Sequence, residues 1–90
     1  MDTILYPETF FPKFRDIATR IGVQAIGRRI REIRGFDHTQ REFGKMLGIG
    51  QTQLSKYEKG LSAPTLELLL KLKSYSGRSL DWIVTGGDLL

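Results

Sequence analysis

Between residues 23 and 85 the apolar positions recur at helical intervals, with little of the alternation that a strand would show. In "VQAIGRRIREIRG", Ile26, Ile30 and Ile33 stand at i, i+4 and i+7, one face of a helix that ends at Gly35. In "TQRE", Thr39 and Glu42 have the spacing of a capping box, so a second helix starts there. Phe43, Met46 and Leu47 predict its apolar face, and Gly48 its stop. A turn of about three residues leads into "GIGQTQLSKYEKG", where Ile49, Leu54 and Tyr57 again fall at helical spacing and Gly60 closes the element. "TLELLLKLKSYSG" predicts a fourth helix, capped by Thr65, stopped by Gly77, with the inner face of Leu66–Leu72 as core. From Ser79, "SLDWIVTG" predicts a short fifth that buries Leu80, Ile83 and part of Trp82. The expectation is an all-α, compact five-helix domain over residues 23–90.

Residues 1–22 form a separate extension. "YPETFFPKFRDIATRIG" holds three of the five Phe of the chain. Pro12 fits the first turn of a helix and Gly22 its end, with Phe14, Ile17 and Ile21 on one face. An aromatic surface of this kind must be covered, and two coverings are open. It packs on the same domain, or Phe10, Phe11, Phe14 and Ile17 make a dimer surface against a second copy.

Ninety residues fit one domain. The net charge of +4 sharpens the picture only through its position. From Val23 to Gly60, eight Arg or Lys (Arg28, Arg29, Arg31, Arg34, Arg41, Lys45, Lys56, Lys59) face four acids (Glu32, Asp37, Glu42, Glu58), so this segment holds the whole surplus. A basic zone confined to one part of a small fold favours an anionic partner. With no Cys and His38 as the single His, disulfides, thiolate chemistry and multi-ligand zinc sites are excluded. No Gly-rich phosphate loop or carboxylate cluster suggests catalysis, so neither an enzyme nor a cofactor is expected. The opening residues, with Asp2, Pro7 and Glu8, do not read as a signal peptide, and no apolar run would span a bilayer. A cytoplasmic protein without a membrane partner is the expectation.

Two short helices joined by a tight Gly-containing turn are the arrangement of a helix-turn-helix. On the third helix, Leu54 and Tyr57 face the core, while Thr52, Ser55, Lys56 and Lys59 face away, with Gln51 at its exposed start. Such a face suits double-stranded DNA: Gln can bond adenine bidentately, Lys reaches guanine acceptors or phosphate, and the Thr methyl packs on a thymine methyl. The N-termini of the second and third helices offer N–H groups to phosphates. Arg28, Arg29 and Arg31 read as a solvated face that adds long-range attraction. His38 reads as a turn residue ahead of the cap, and Trp82 as core or dimer surface.

From about Gly27 to Gly86 the chain resembles the Cro/CI-type (XRE-like) helix-turn-helix domain of phage repressors and bacterial transcriptional regulators. The resemblance rests on "IGRRIREIR", "TQREFGKMLGIGQTQLSKYEKG", "APTLELLLKL" and "SLDWIVTGG", about two thirds of the chain. It implies a lambda-repressor-like fold and a sequence-specific DNA-binding regulator, a repressor reading an inverted-repeat operator as a homodimer. The recognition helix would be residues 50–58, lying in the major groove. The resemblance makes Gln51, Thr52 and Lys56 base readers, with Ser55 reaching bases or backbone, and Gln40, Lys59 and the backbone of the loop from Gly60 to Ser62 phosphate contacts. Gln40 would also brace the first side chains of the recognition helix. Arg34 would pair with Glu58, and with Leu54 and Tyr57 support that helix. Two positions depart from the family. Gly44 stands where Ala is usual, a small residue that lets the two helices cross closely; glycine preserves that closeness but costs roughly 1 kcal/mol of helix propensity. Gly50 stands where Ser or Thr commonly caps the recognition helix. The implied setting is the bacterial cytoplasm, associated with the nucleoid, with the gene on a phage, a mobile element or the host chromosome. The alternative is a helix-turn-helix module whose main contact is another protein, as in an antitoxin-like partner.

Overall fold

Side-chain caps set the starts of three of the five helices seen in the computed structural model, which describes residues 22–87. The expected N-terminal helix, and with it the candidate dimer surface at Phe10, Phe11, Phe14 and Ile17, lies outside the described residues. Helix α1 runs Val23–Arg34, α2 Gln40–Leu47, α3 Gln51–Glu58, α4 Leu66–Ser76 and α5 Leu80–Thr85. The capping box at α2 is complete: the Thr39 hydroxyl accepts from the Glu42 N–H at 3.1 Å, and the Glu42 carboxylate accepts from the Thr39 N–H at 2.9 Å. Thr65 and Ser79 cap α4 and α5 through the hydroxyl bond alone, accepting from the N–H of Leu68 and Trp82. Among the described residues there is no strand.

The five helices close on one core of Ile26, Ile30, Phe43, Leu47, Leu54, Tyr57, Leu68, Leu72 and Ile83. Helix α1 packs chiefly on α3 and α5, and α3 on α2. Of the α4 leucines, Leu68 and Leu72 are buried, whereas Leu66 and Leu70 face solvent. Phe43 meets the Tyr75 ring edge-on at 5.2 Å, and His38 stacks on Phe43 at 6.3 Å, so the turn before α2 is packed from inside.

Three expectations need correction. Met46 is half exposed rather than core, and the third buried position of α2 is Gly44, the small residue at which close packing is expected. The cause is that α2 leans on the turn that follows it: a Cβ at Gly44 would sit 2.8 Å from the Ile49 carbonyl oxygen, while the Ile49 N–H donates to the Gly44 carbonyl at 2.8 Å. Rotating that side inward carries Met46 outward. Leu80 is only partly buried, leaving Ile83 as the α5 anchor. Arg29 is no solvated residue: its guanidinium donates to the carbonyls of Ile83 at 3.1 Å and Val84 at 3.0 Å. It thereby ties α1 to orphan carbonyls in the last turn of α5. Burial lowers the Arg29 pKa, helped by neighbouring Arg28 and opposed by Glu32. The guanidinium nevertheless stays a cation.

Candidate nucleic-acid interface

Helix α3 is held from behind. Leu54 is fully buried and Tyr57 nearly so, which fixes one side of the helix in the core. At its last residue the Glu58 carboxylate accepts from Arg34 Nε at 2.8 Å and Arg34 Nη2 at 2.9 Å, a bidentate pair. The Gln40 amide donates to the same carboxylate at 2.9 Å, and Arg34 Nη1 reaches the His38 carbonyl at 3.1 Å. Only 16% of the Arg34 side chain and 4% of the Glu58 side chain are exposed, so the pair works in reduced dielectric. The hydrogen bond to Glu58 is the main cause that raises the Arg34 pKa, against the opposing effect of burial. One carboxylate thus joins the end of α1, the start of α2 and the end of α3.

Gln40 therefore braces the last residue of α3 through its amide nitrogen, where a brace on the first side chains of that helix was expected. A buried carboxylate is the stronger acceptor, which decides the orientation. The α1–α3 crossing is equally close. A Cβ on Gly27 would collide with the Tyr57 carbonyl oxygen and lie 2.7 Å from that of Glu58. Sequence reasoning passed over Gly27, because in one dimension a mid-helix glycine shows only a propensity penalty.

The opposite side of α3 is open. Gln51, Thr52, Lys56 and Lys59 are exposed and Ser55 is half-buried. These residues, with Gln40 and Leu61, line a shallow concavity of about 350 Å³. No hydrogen bond or ion pair within the described residues engages the side chains of Gln51, Thr52, Lys56 or Lys59. The start of α3 is also bare: Gly50 caps it without a side-chain hydrogen bond. The base-reading and phosphate residues expected from sequence are thus gathered on one surface, with the exception of Ser62, which is not among those lining the concavity.

The α3–α4 loop is more committed than expected. Gly60, with φ of 75°, donates its N–H to the Tyr57 carbonyl at 3.1 Å, and Leu61 donates to Lys56 at 2.9 Å. This left-handed closure satisfies the last carbonyls of the helix and leaves neither amide for phosphate. It holds Leu61 at 72% exposure, a residue that sequence reasoning missed. Its only sequence signal is an apolar residue directly after the helix stop.

A larger concavity of about 480 Å³ lies beside Trp82 and is lined by no residue of α2 or α3. There the Arg78 guanidinium sits 3.9 Å above the Trp82 ring and pairs with Glu32 at 3.5 Å. Among the described residues, no cluster of His, Asp and Glu could hold a metal ion. None of the described helices is long and apolar enough to cross a membrane.

The helix-turn-helix family profile matches residues 28–83. The chain is also similar to the HTH-type transcriptional regulator ImmR of Bacillus subtilis (strain 168), at 34% identity over 61 residues, which is 67% of this chain and 48% of that protein. It therefore spans about half the length of that curated relative. No solved structure gives a significant match.

Proposed function

The chain belongs to the helix-turn-helix family, and on that premise we propose that it is a transcriptional regulator that binds double-stranded DNA through α3 in the major groove. One observation carries this reading. The helix is locked through Leu54, Tyr57 and Glu58, while its outward polar face has no partner within the described residues. A helix fastened on one side and unpaired on the other is preorganised for an external hydrogen-bonding partner, because little ordering entropy is left to pay on binding. The resemblance to a transcriptional regulator supports the same reading.

In this reading Gln51, Thr52, Ser55 and Lys56 read base edges, with Gln51 suited to adenine and Lys56 to guanine. Lys59, Gln40 and Ser62 hold phosphates. Gln40 Nε2 donates one N–H to Glu58, and its second N–H is the donor left for a phosphate oxygen. The protein acts as a repressor and binds as a homodimer, whose two α3 helices would be set about 34 Å apart on an inverted-repeat operator. Residues 1–22 supply part of the dimer contact, and residues 23–90 bind the DNA.

The test is selection from a random double-stranded pool with the full chain at near-physiological salt. Enrichment of an inverted repeat with half-sites one helical turn apart is expected. No enrichment, with binding lost as salt rises, would remove specific readout and leave only charge attraction. A second reading, a protein-interaction module, draws on Phe36. Its side chain stands wholly exposed at the α1–α2 turn, beside Arg28 and Arg31 in a concavity of about 400 Å³. Capture of a protein partner that survives high salt, in a chain that enriches no DNA, would favour it.

A further inference from the structure

We propose that Leu61 is a specificity-determining residue that packs on the 5-methyl group of a thymine in the major groove; this rests on the DNA-binding reading above. A single exposed leucine on a protein surface ordinarily needs no explanation. This one differs in where it stands and how it is held. It lines the same concavity as Gln51, Thr52, Ser55 and Lys56, and it is the one fully apolar side chain there. Its position is not that of a loose loop. Its N–H is fixed to the Lys56 carbonyl at 2.9 Å, one turn back along the recognition helix. Gly60 before it is wedged against α1, where a Cβ would lie 2.7 Å from the Gln24 Cα. Leu61 therefore moves with α3 and arrives wherever α3 docks.

The chemistry of the duplex then selects its contact. Leucine has no donor for a phosphate oxygen, and the Leu61 amide is already used, so it holds no phosphate. Among major-groove edges the thymine 5-methyl is the apolar group, and the other base edges present donors and acceptors that leucine would desolvate without compensation. The expected result is a preference for an A·T pair at one position of each half-site, read by burial of a methyl group rather than by a hydrogen bond.

The experiment uses the full chain and an operator recovered from the random pool. Each thymine is replaced singly by deoxyuridine, which lacks only the methyl group, and affinity is followed by fluorescence anisotropy for the unaltered protein and for Leu61→Ala. One position per half-site should lose roughly three- to tenfold with the unaltered protein, the scale of one buried methyl, and lose nothing further with Leu61→Ala. On thymine DNA, Leu61→Ala should lose a similar factor. A second position, read through the Thr52 methyl, should respond to deoxyuridine equally in both proteins. Leu61→Ala removes an exposed side chain and keeps its backbone bond, so an unchanged urea midpoint is expected, and Leu61→Gln serves as a second variant of similar length. The inference is overturned if every deoxyuridine penalty is the same in both variants as in the unaltered protein. A pool that enriches nothing would instead remove the DNA-reading function itself, and this inference with it.

Discussion

Helices α2 and α3 have eight residues each, yet they are stabilised by different means. Helix α2 carries its own signals: a complete capping box, Glu42 in its first turn, Lys45 in its last and a left-handed Gly48 after it. Helix α3 starts at a bare glycine and has no acid in its first turn. An isolated eight-residue helix is unstable in water, so α3 depends on tertiary contacts more than its neighbour does. Those contacts are Leu54 and Tyr57 in the core, Glu58 gripped by Arg34 and Gln40, and the glycine seam with α1. The difference teaches how a helix can be rigid without spending its outward side chains on stability. Support comes from one side and from the C-terminal end, and the face toward a partner stays free.

The strongest way to break that comparison is Glu58→Ala. It leaves Arg34 without its carboxylate partner and Gln40 without its acceptor, and loss of one member of a buried pair costs about 3–5 kcal/mol. Because Arg34 keeps some solvent, a value toward the lower end is expected, read as a fall in urea midpoint at unchanged slope. A loss below about 1 kcal/mol would mean that apolar packing alone holds α3. Gly27→Ala comes next. Alanine gains about 1 kcal/mol in helix propensity, but its Cβ meets two backbone carbonyls that cannot move aside cheaply. A net destabilisation of about 1–3 kcal/mol is expected from overpacking. A higher melting temperature in this variant would show that the α1–α3 seam has slack.

On the other side of the helix the expectation reverses. Gln51→Ala and Lys56→Ala should each weaken binding to the selected operator by about 1–3 kcal/mol. Unfolding free energy should stay within about 0.5 kcal/mol, as for exposed substitutions generally. Equal weakening on random DNA would reduce these side chains to phosphate contacts.

What was legible in the sequence divides along the same line. Signals that act within one turn of chain were readable directly: Thr39 with Glu42, Gly48, Thr65, Gly77 and Ser79 all stand at the helix ends they predicted. So was the polar outer face of α3, since helical spacing separates it from Leu54 and Tyr57. The Arg34–Glu58 pair, 24 residues apart, entered only through family resemblance, because no periodicity links two such positions. Contacts set by helix crossings were hidden. Gly27 is buried because of the helix that crosses it, and Arg29 looked solvated until α5 brought carbonyls to it; the close packing at Gly44 was legible, but only through the family resemblance. Leu61 was missed for a related reason, since the groove it lines exists only once the chain turns at Gly60.

The smallest effects test the contrast at the two helix starts. Thr39→Ala removes a side-chain cap and should cost about 1 kcal/mol, with DNA binding falling only as far as the folded fraction does. Gly50→Ser does the opposite for α3. The cap residue already has extended backbone angles, φ of −77° and ψ of 160°, and a Cβ there would meet nothing within 4 Å. A serine hydroxyl can therefore accept from an N–H of the first turn without rearrangement, and a gain of a few tenths of a kcal/mol is expected. The comparison that matters is with operator affinity in the same variant. Unchanged or tighter binding is expected, because the hydroxyl can still donate to a phosphate while it accepts from the backbone. A gain in stability accompanied by a clear loss of affinity would show that the bare N–H groups of α3 are themselves a phosphate seat. The glycine would then be the feature that keeps them available.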